Sequence, residues 1–289
     1  MKKTVTTICL VSLWFLTSSA VSFAQYTAVD NFGRGTAKQM KGDLEGAIAD
    51  YTRAIELNPM FGEAYCNRGN AKSDKGDLDG AIADFSRAIV IKPGLSEAYC
   101  GRGLAKSAKG DLNGATADLN QAIDINPKFS EAYYGLAACH ALKSKWNDAL
   151  SDYRRTCEIS KQGDVRDYCQ LQIWIMRTRL GEGKAADKDL AARLKKGWNA
   201  APNDWVSKVA GHLLGAVTEP DLIAATHSSN AQTAGGQLCE AWYYAGMKKL
   251  LTGDKKAAAE NFRKCLATKH NDFNEFKFAQ AELKALGGP

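Results

Sequence analysis

Small and apolar positions fall at helical spacing through the first half of this chain, and the helical pattern itself returns every 34 residues. Gly42-Asp43-Leu44, Gly76-Asp77-Leu78 and Gly110-Asp111-Leu112 lie in register, as do Ala47, Ala81, Ala115 and Ala149, and Pro59, Pro93 and Pro127. Within a period, Tyr65 or Tyr99 stands four positions before Gly69 or Gly103, on one helical face. The glycine leaves room for a second helix, whose alanines (81 and 88, 115 and 122) approach from the other side. Gly76 can adopt the left-handed conformation that ends the first helix and Asp77 can cap the second. So short a turn predicts an antiparallel hairpin, and Pro93 and Pro127 stop its second helix. One such hairpin cannot bury its own apolar stripe, so a fixed period of this length predicts stacked hairpins.

Tyr65, Gly69, Ala81, Phe85, Ala88 and Pro93 resemble the signature of the tetratricopeptide repeat (TPR). The resemblance implies an all-α fold, a right-handed TPR superhelix (α-solenoid) with a helical C-terminal extension. Repeats are expected over residues 28–61, 62–95, 96–129 and 130–161. The first carries Asn31 where later repeats have tyrosine, as a terminal repeat can. The fourth keeps Tyr133, Ala149 and Tyr153 but has Ser144-Lys145 in place of Gly-Asp and Lys161 in place of proline. Residues 162–236 read as helical without the repeat, with Trp174, Ile175, Leu180, Leu190 and Leu194 spaced for buried faces. Asn203 and Thr218 are candidate helix caps, and the polar, glycine-containing stretch 227–237 reads as an exposed loop. Over 237–287 the signature returns as Trp242, Gly246, Gly253-Asp254, Ala258, Phe262 and Cys265, followed by a segment expected to form a helix covering the open end. LLTGDKKAAAENFRKCLAT and FNEFKFAQAEL, with the arrangement around them, resemble the NlpI-type TPR lipoproteins of bacterial envelopes. That resemblance implies an adaptor that brings envelope hydrolases or proteases to their sites, often as a homodimer.

Lys2-Lys3, the apolar run from about Ile8 to Leu16 and Ser22-Phe23-Ala24 read as a signal peptide over residues 1–24. The run is too short to span a membrane, for which ~20 residues are needed. The nearby Cys9 lies inside it rather than at the processing site, so lipidation is not carried over from the family. The expected location is periplasmic or secreted. The net charge of +6 loses two lysines and no acid with the leader. Without a basic block interleaved with aromatics, no nucleic-acid partner is expected. No cofactor, metal or catalytic motif is recognised: the four histidines are scattered, and Gly33 and Gly35 lack the strand a dinucleotide fingerprint needs.

By the TPR resemblance, the first helix of each repeat lines a concave groove. Its expected partner-binding residues are Glu63, Asn67, Asn70, Glu97, Leu104, Glu131 and Tyr134. Glu97 stands where a clamp for a C-terminal carboxylate needs lysine, which rejects that ligand. Glu63, Glu97, Glu131 and Glu240 form either an acidic ladder for basic peptides or simple first-turn acids that suit the helix dipole. Arg34, Arg68 and Arg102 recur sixteen residues before Asp50, Asp84 and Asp118, a pattern of ion pairs inside each hairpin. Seven cysteines follow the leader, an odd number. Cys239 and Cys265 are expected to be neighbours and a candidate disulfide, Cys157 and Cys169 a second one. The reading is a noncatalytic protein-binding scaffold or adaptor. The alternatives are an enzyme or redox protein with its site in the C-terminal half and a structural spacer in an envelope complex.

Overall fold

The glycine-aspartate turns are where the chain's regularity becomes geometry. Gly42, Gly76 and Gly110 have φ of +79°, +84° and +89°, which only glycine adopts without cost. The aspartate after each accepts from the backbone N–H three residues on, at 2.9–3.0 Å, and so caps the following helix. The computed structural model describes residues 27–160, 164–195, 205–226, 231–270 and 273–288, and every regular element among them is an α-helix. The expected leader lies outside the described residues.

The chain divides into two compact units, meeting at Pro127 and Lys128. The first holds three hairpins: α1 (27–40) with α2 (Leu44–Leu57), α3 (Gly62–Asp74) with α4 (Leu78–Ile91), and α5 (Ser96–Ala108) with α6 (Leu112–Ile125). Each hairpin closes on a buried aromatic or leucine of its second helix. A Cβ at Gly69 would meet the Phe85 ring at 2.9 Å, and one at Gly103 would meet Leu119 at 2.9 Å. Successive hairpins then stack, α3 on α2 and α5 on α4. The repeated Arg/Asp pairs are formed: Arg68 Nη2 and Arg102 Nη2 each lie 2.7 Å from the carboxylates of Asp84 and Asp118. Each guanidinium also reaches back to the preceding hairpin, donating to Thr52 and Ser86 at 3.1 Å. Lys38, Lys72 and Lys106 give Asp50, Asp84 and Asp118 a second cation.

The second unit holds α7 (Ser130–Leu142), α8 (Trp146–Ile159), α9 (Asp164–Arg179), α10 (Gly183–Lys195), α11 (Trp205–Leu213), α12 (Glu219–Ala224), α13 (Ala231–Leu251), α14 (Lys255–Ala267) and α15 (Asn274–Ala285). One apolar core runs through it, from Ala137 to Leu283. Two sequence expectations change here. Residues 231–237 are not a loop but the first two turns of α13, a helix of 21 residues. Gly235 and Gly236 are there for close packing, since a Cβ would strike His270 at 2.1 Å and Phe273 at 2.5 Å. Residues 227–230 and Asn203 lie outside the described residues. The last helix, α15, packs on α13 and α14 and also reaches α7, so it ties the unit's two ends together rather than only covering one. Arg179 of α9 is stacked 4.4 Å above the Trp146 ring and paired with Glu282 of α15 at 2.5 Å.

Candidate binding site

In the first unit the predicted groove residues lie on α3 and α5, the first helices of consecutive hairpins. Glu97 is exposed and Leu104 is 42% exposed, while Asn67 and Asn70 are half-buried. Glu63 is held by Lys92 Nζ at 2.6 Å, a hydrogen bond that keeps its carboxyl below the usual range against burial. Cys66 lies beneath these acids: burial, with Glu97 and then Glu63, pushes its thiol up to about 12, leaving it a small, unreactive neutral group. A Cβ at Gly101 would meet the Phe85 ring at 2.5 Å, so the ring of one hairpin is packed under the groove helix of the next. This face offers an exposed carboxylate, one exposed leucine and two half-buried primary amides.

Glu131 and Tyr134 belong to the second unit. Glu131 is exposed, but Tyr134 is turned inward, its ring packed edge-on to Tyr153 at 5.7 Å. It lines a cavity of about 360 Å³ with Tyr168, Glu240, Phe273, Asn274 and Glu275. Glu240 is 5% exposed, and it is not a first-turn residue, because α13 begins nine residues before it. Its carboxylate accepts from Tyr168 Oη at 2.9 Å and from Trp205 Nε1 at 2.5 Å. Burial, then the nearby Glu275, raise its carboxyl to about 8 against those two donors. Glu275, also 5% exposed, accepts from Tyr244 Oη at 3.2 Å, and burial raises it too. Tyr168 and Glu275 were not singled out from the sequence, and Trp205 was read there mainly as a core residue. They come from α9, α11 and α15, and no spacing along the chain joins them.

The candidate disulfide partners are neighbours: the Cys239 and Cys265 sulfurs lie 3.3 Å apart, both fully buried. Cys157 is placed differently. Gln170 Nε2 donates to its sulfur at 3.1 Å, and the adjacent Cys169 thiol holds it below the ordinary thiol range despite burial. It lines a second cavity, of about 320 Å³, with Gln170, Trp174 and Arg177 among its walls. Two of the histidines are structural: His140 pairs with Asp152 at 2.8 Å, and His212 is buried against the Val217 carbonyl at 3.0 Å. No group of three or more potential metal ligands occurs among the described residues.

Profiles of the tetratricopeptide repeat match residues 40–76, 62–95 and 100–164. Among solved structures, the MamA protein is 25% identical with a TM-score of 0.51, the match covering 59% of this chain and 91% of that one. A tetratricopeptide repeat protein from Parabacteroides merdae, 17% identical, superposes with a TM-score of 0.56 over 89% of this chain and 99% of its own. At that identity the likeness shows the fold alone. No curated protein sequence matches the chain.

Proposed function

We propose that this chain, which carries tetratricopeptide repeats matched over residues 40–95 and 100–164, is an exported, noncatalytic scaffold or adaptor that binds other proteins or peptides in the bacterial cell envelope. The observation that carries this reading is the face of α3 and α5, where Glu97 and Leu104 are exposed beside the half-buried Asn67 and Asn70. A backbone fixed by the stacked hairpins holds these groups in place before a partner arrives, which lowers the ordering cost of binding. Export is supported by the basic, apolar and small-residue order of the first 24 residues. Among the described helices none is long and apolar enough to cross a membrane. The partners in this reading are envelope hydrolases or proteases, as the NlpI-type resemblance implies, and a homodimer is checked by light scattering on the purified chain.

The test is photocrosslinking in the native cell, with benzoylphenylalanine placed at Leu104 on the groove face or at Arg87, an exposed residue of α4. Adducts with a hydrolase or protease from position 104 alone support the reading. Adducts from position 87 alone, or from neither, overturn it.

A second reading, a redox protein acting through the C-terminal half, is favoured by one observation, the acid-shifted Cys157 beside Cys169 at a cavity wall. It predicts that Cys157 alkylates faster than every other thiol below pH 8. Uniformly slow labelling excludes it.

A further inference from the structure

The cavity bounded by Tyr134, Tyr168, Glu240, Phe273 and Glu275 has walls that the folding of the second unit does not explain. Two carboxyl groups, each nine-tenths buried or more, line it together, and Glu275 stands close enough to oppose the ionisation of Glu240. Among the described residues, no lysine, arginine or histidine lines the cavity or pairs with either acid. Buried carboxylates elsewhere in this chain are treated differently: Asp84, Asp118 and Asp167 each have an arginine within 3.2 Å. A carboxylate has about four acceptor positions, and Glu240 receives two side-chain donors here and Glu275 one. Glu275 also accepts from its own backbone amide, the ordinary service of an acid in the first turn of a helix. Capping accounts for an acid at that position but not for its burial beside Glu240. The remaining walls are the Asn274 amide and the rings of Tyr134, Tyr168 and Phe273, and the face of such a ring attracts a cation.

We propose that this cavity is a binding site for an organic cation, an alkylammonium or guanidinium group of side-chain size, held between the Glu240 and Glu275 carboxylates and the rings of Tyr134 and Tyr168. Among the described residues the surrounding helices bring no positive charge to it. It is independent of the groove on α3 and α5, so the two readings stand or fall separately. Such a cation comes either as a free small molecule or as a lysine or arginine side chain of a peptide. The same pocket chemistry serves both.

Binding is linked to protons. The groups facing Glu240 are Tyr168 from α9, Trp205 from α11, Cys239 on α13 and Glu275 from α15, with Tyr134 of α7 across the cavity and Tyr244 holding Glu275. None of them carries positive charge. With its carboxyl raised to about 8, Glu240 is mostly protonated at pH 7 in the empty cavity. A bound cation stabilises the ionised form, so binding releases a proton and strengthens as pH rises through 8.

The experiment is calorimetric titration of the full mature chain with n-butylguanidinium, n-butylammonium and neutral n-butanol. It is run in two buffers of different ionisation enthalpy, with Trp205 emission as a second readout. A lysine-bearing and a lysine-free peptide of equal length form the other arm. Binding of the two cations but not butanol, with proton release at pH 7, supports the site. So does a loss of about ten- to hundredfold in Glu240→Gln, the scale of a charge-assisted hydrogen bond. Tighter binding of the lysine peptide than of butylammonium assigns the source to a protein partner, and the reverse order assigns it to a small molecule. Equal binding of butanol, no binding of either cation at millimolar concentration, or unchanged binding in both Glu240→Gln and Glu275→Gln overturns the proposal. Glutamine keeps the shape and the Tyr and Trp hydrogen bonds, and the wild-type comparison of cation with butanol needs no variant at all.

Discussion

Asp118 in the first unit and Asn261 in the second occupy the same place in the repeat, one residue before the large apolar side chain of the hairpin's second helix, Leu119 or Phe262. Both are buried. Opposite Asp118 stand Arg102 and Lys106; at the position equivalent to Arg102 the last hairpin has Ala245. Where the arginine is lost the acid has become an amide, although Lys249 keeps the place of Lys106, so no buried carboxylate is left without its guanidinium. The fourth repeat is intermediate, with Leu136 in the arginine position and His140 pairing with Asp152. The glutamates of the groove helices show the reverse. Glu97 is exposed, while its counterpart Glu240 keeps the charge-bearing group but has lost its solvent. The lesson is that one repeat position keeps geometry rather than chemistry: the first unit uses its charges to tie hairpins together, and the second encloses two of its acids with no counter-ion among the described residues.

The strongest way to break this comparison is to remove an arginine from the first unit. Arg102→Ala leaves Asp118 buried with Lys106 alone and is expected to cost about 3 kcal/mol in urea unfolding. The double variant Arg102→Ala, Asp118→Asn copies the last hairpin's Ala245 and Asn261 and should recover most of that loss. Equal stability of the single and double variants would show that the pair acts through packing alone.

In the second unit, folding under oxidising conditions is expected to join Cys239 to Cys265, whose separation of 26 residues predicts a gain of about 3 kcal/mol over the reduced chain. Peptide mapping of the unreduced protein shows the bridge, and a melting temperature unchanged by reductant would count against it.

Glu240 sharpens the comparison through pH. Its folded carboxyl is raised to about 8 from an ordinary 4.5, so the unfolded chain ionises first. The stability that depends on the neutral acid is complete below about pH 4.5 and is lost as pH rises to 8. Glu240→Gln should therefore flatten the decline in melting temperature across that window and stabilise the protein at pH 8 by on the order of 2 kcal/mol. Asp118 has the opposite sign: burial opposes its ionisation, but Arg102 and Lys106 outweigh it and hold the carboxyl low, so its contribution is lost only as pH falls into the acid range. A melting profile in which the variant and the wild type run parallel from pH 5 to 8 would contradict this assignment.

The smallest effect belongs to the fourth repeat's turn. Ser144 has φ of +57°, where the other repeat turns have glycine, and Lys145 supplies no side-chain cap. Ser144→Gly should stabilise the second unit by about 1 kcal/mol in thermal melts.

The hairpins of the first unit were legible because each turn, cap and close approach is specified by residues within one 34-residue period. Gly76, Asp77 and Phe85 do locally what their types suggest. The second unit was legible where it kept those residues, as in Gly253-Asp254, and misleading where it did not. Gly235-Gly236 has the composition of a loop, yet both glycines admit side chains from across a helix interface. Glu240 matched Glu97 in register, and nothing local reveals that α13 begins well before it or that Tyr168 and Trp205 close over it. Burial set by distant helices leaves no periodic trace, whereas capping and turn chemistry do.

The central claim is that the α3 and α5 face binds a protein partner. It is tested most directly by capture from native envelope extract with the mature wild-type chain and with Glu97→Lys, side by side with their melting curves. Glu97 is exposed, and its carboxylate accepts from the hydroxyl of the neighbouring Ser96 at 3.1 Å, so the melting curves check that losing this bond leaves the fold intact. The account predicts that a hydrolase or protease captured by the wild type is lost from the variant while the melting temperature is unchanged. The same proteins captured by both baits would contradict it.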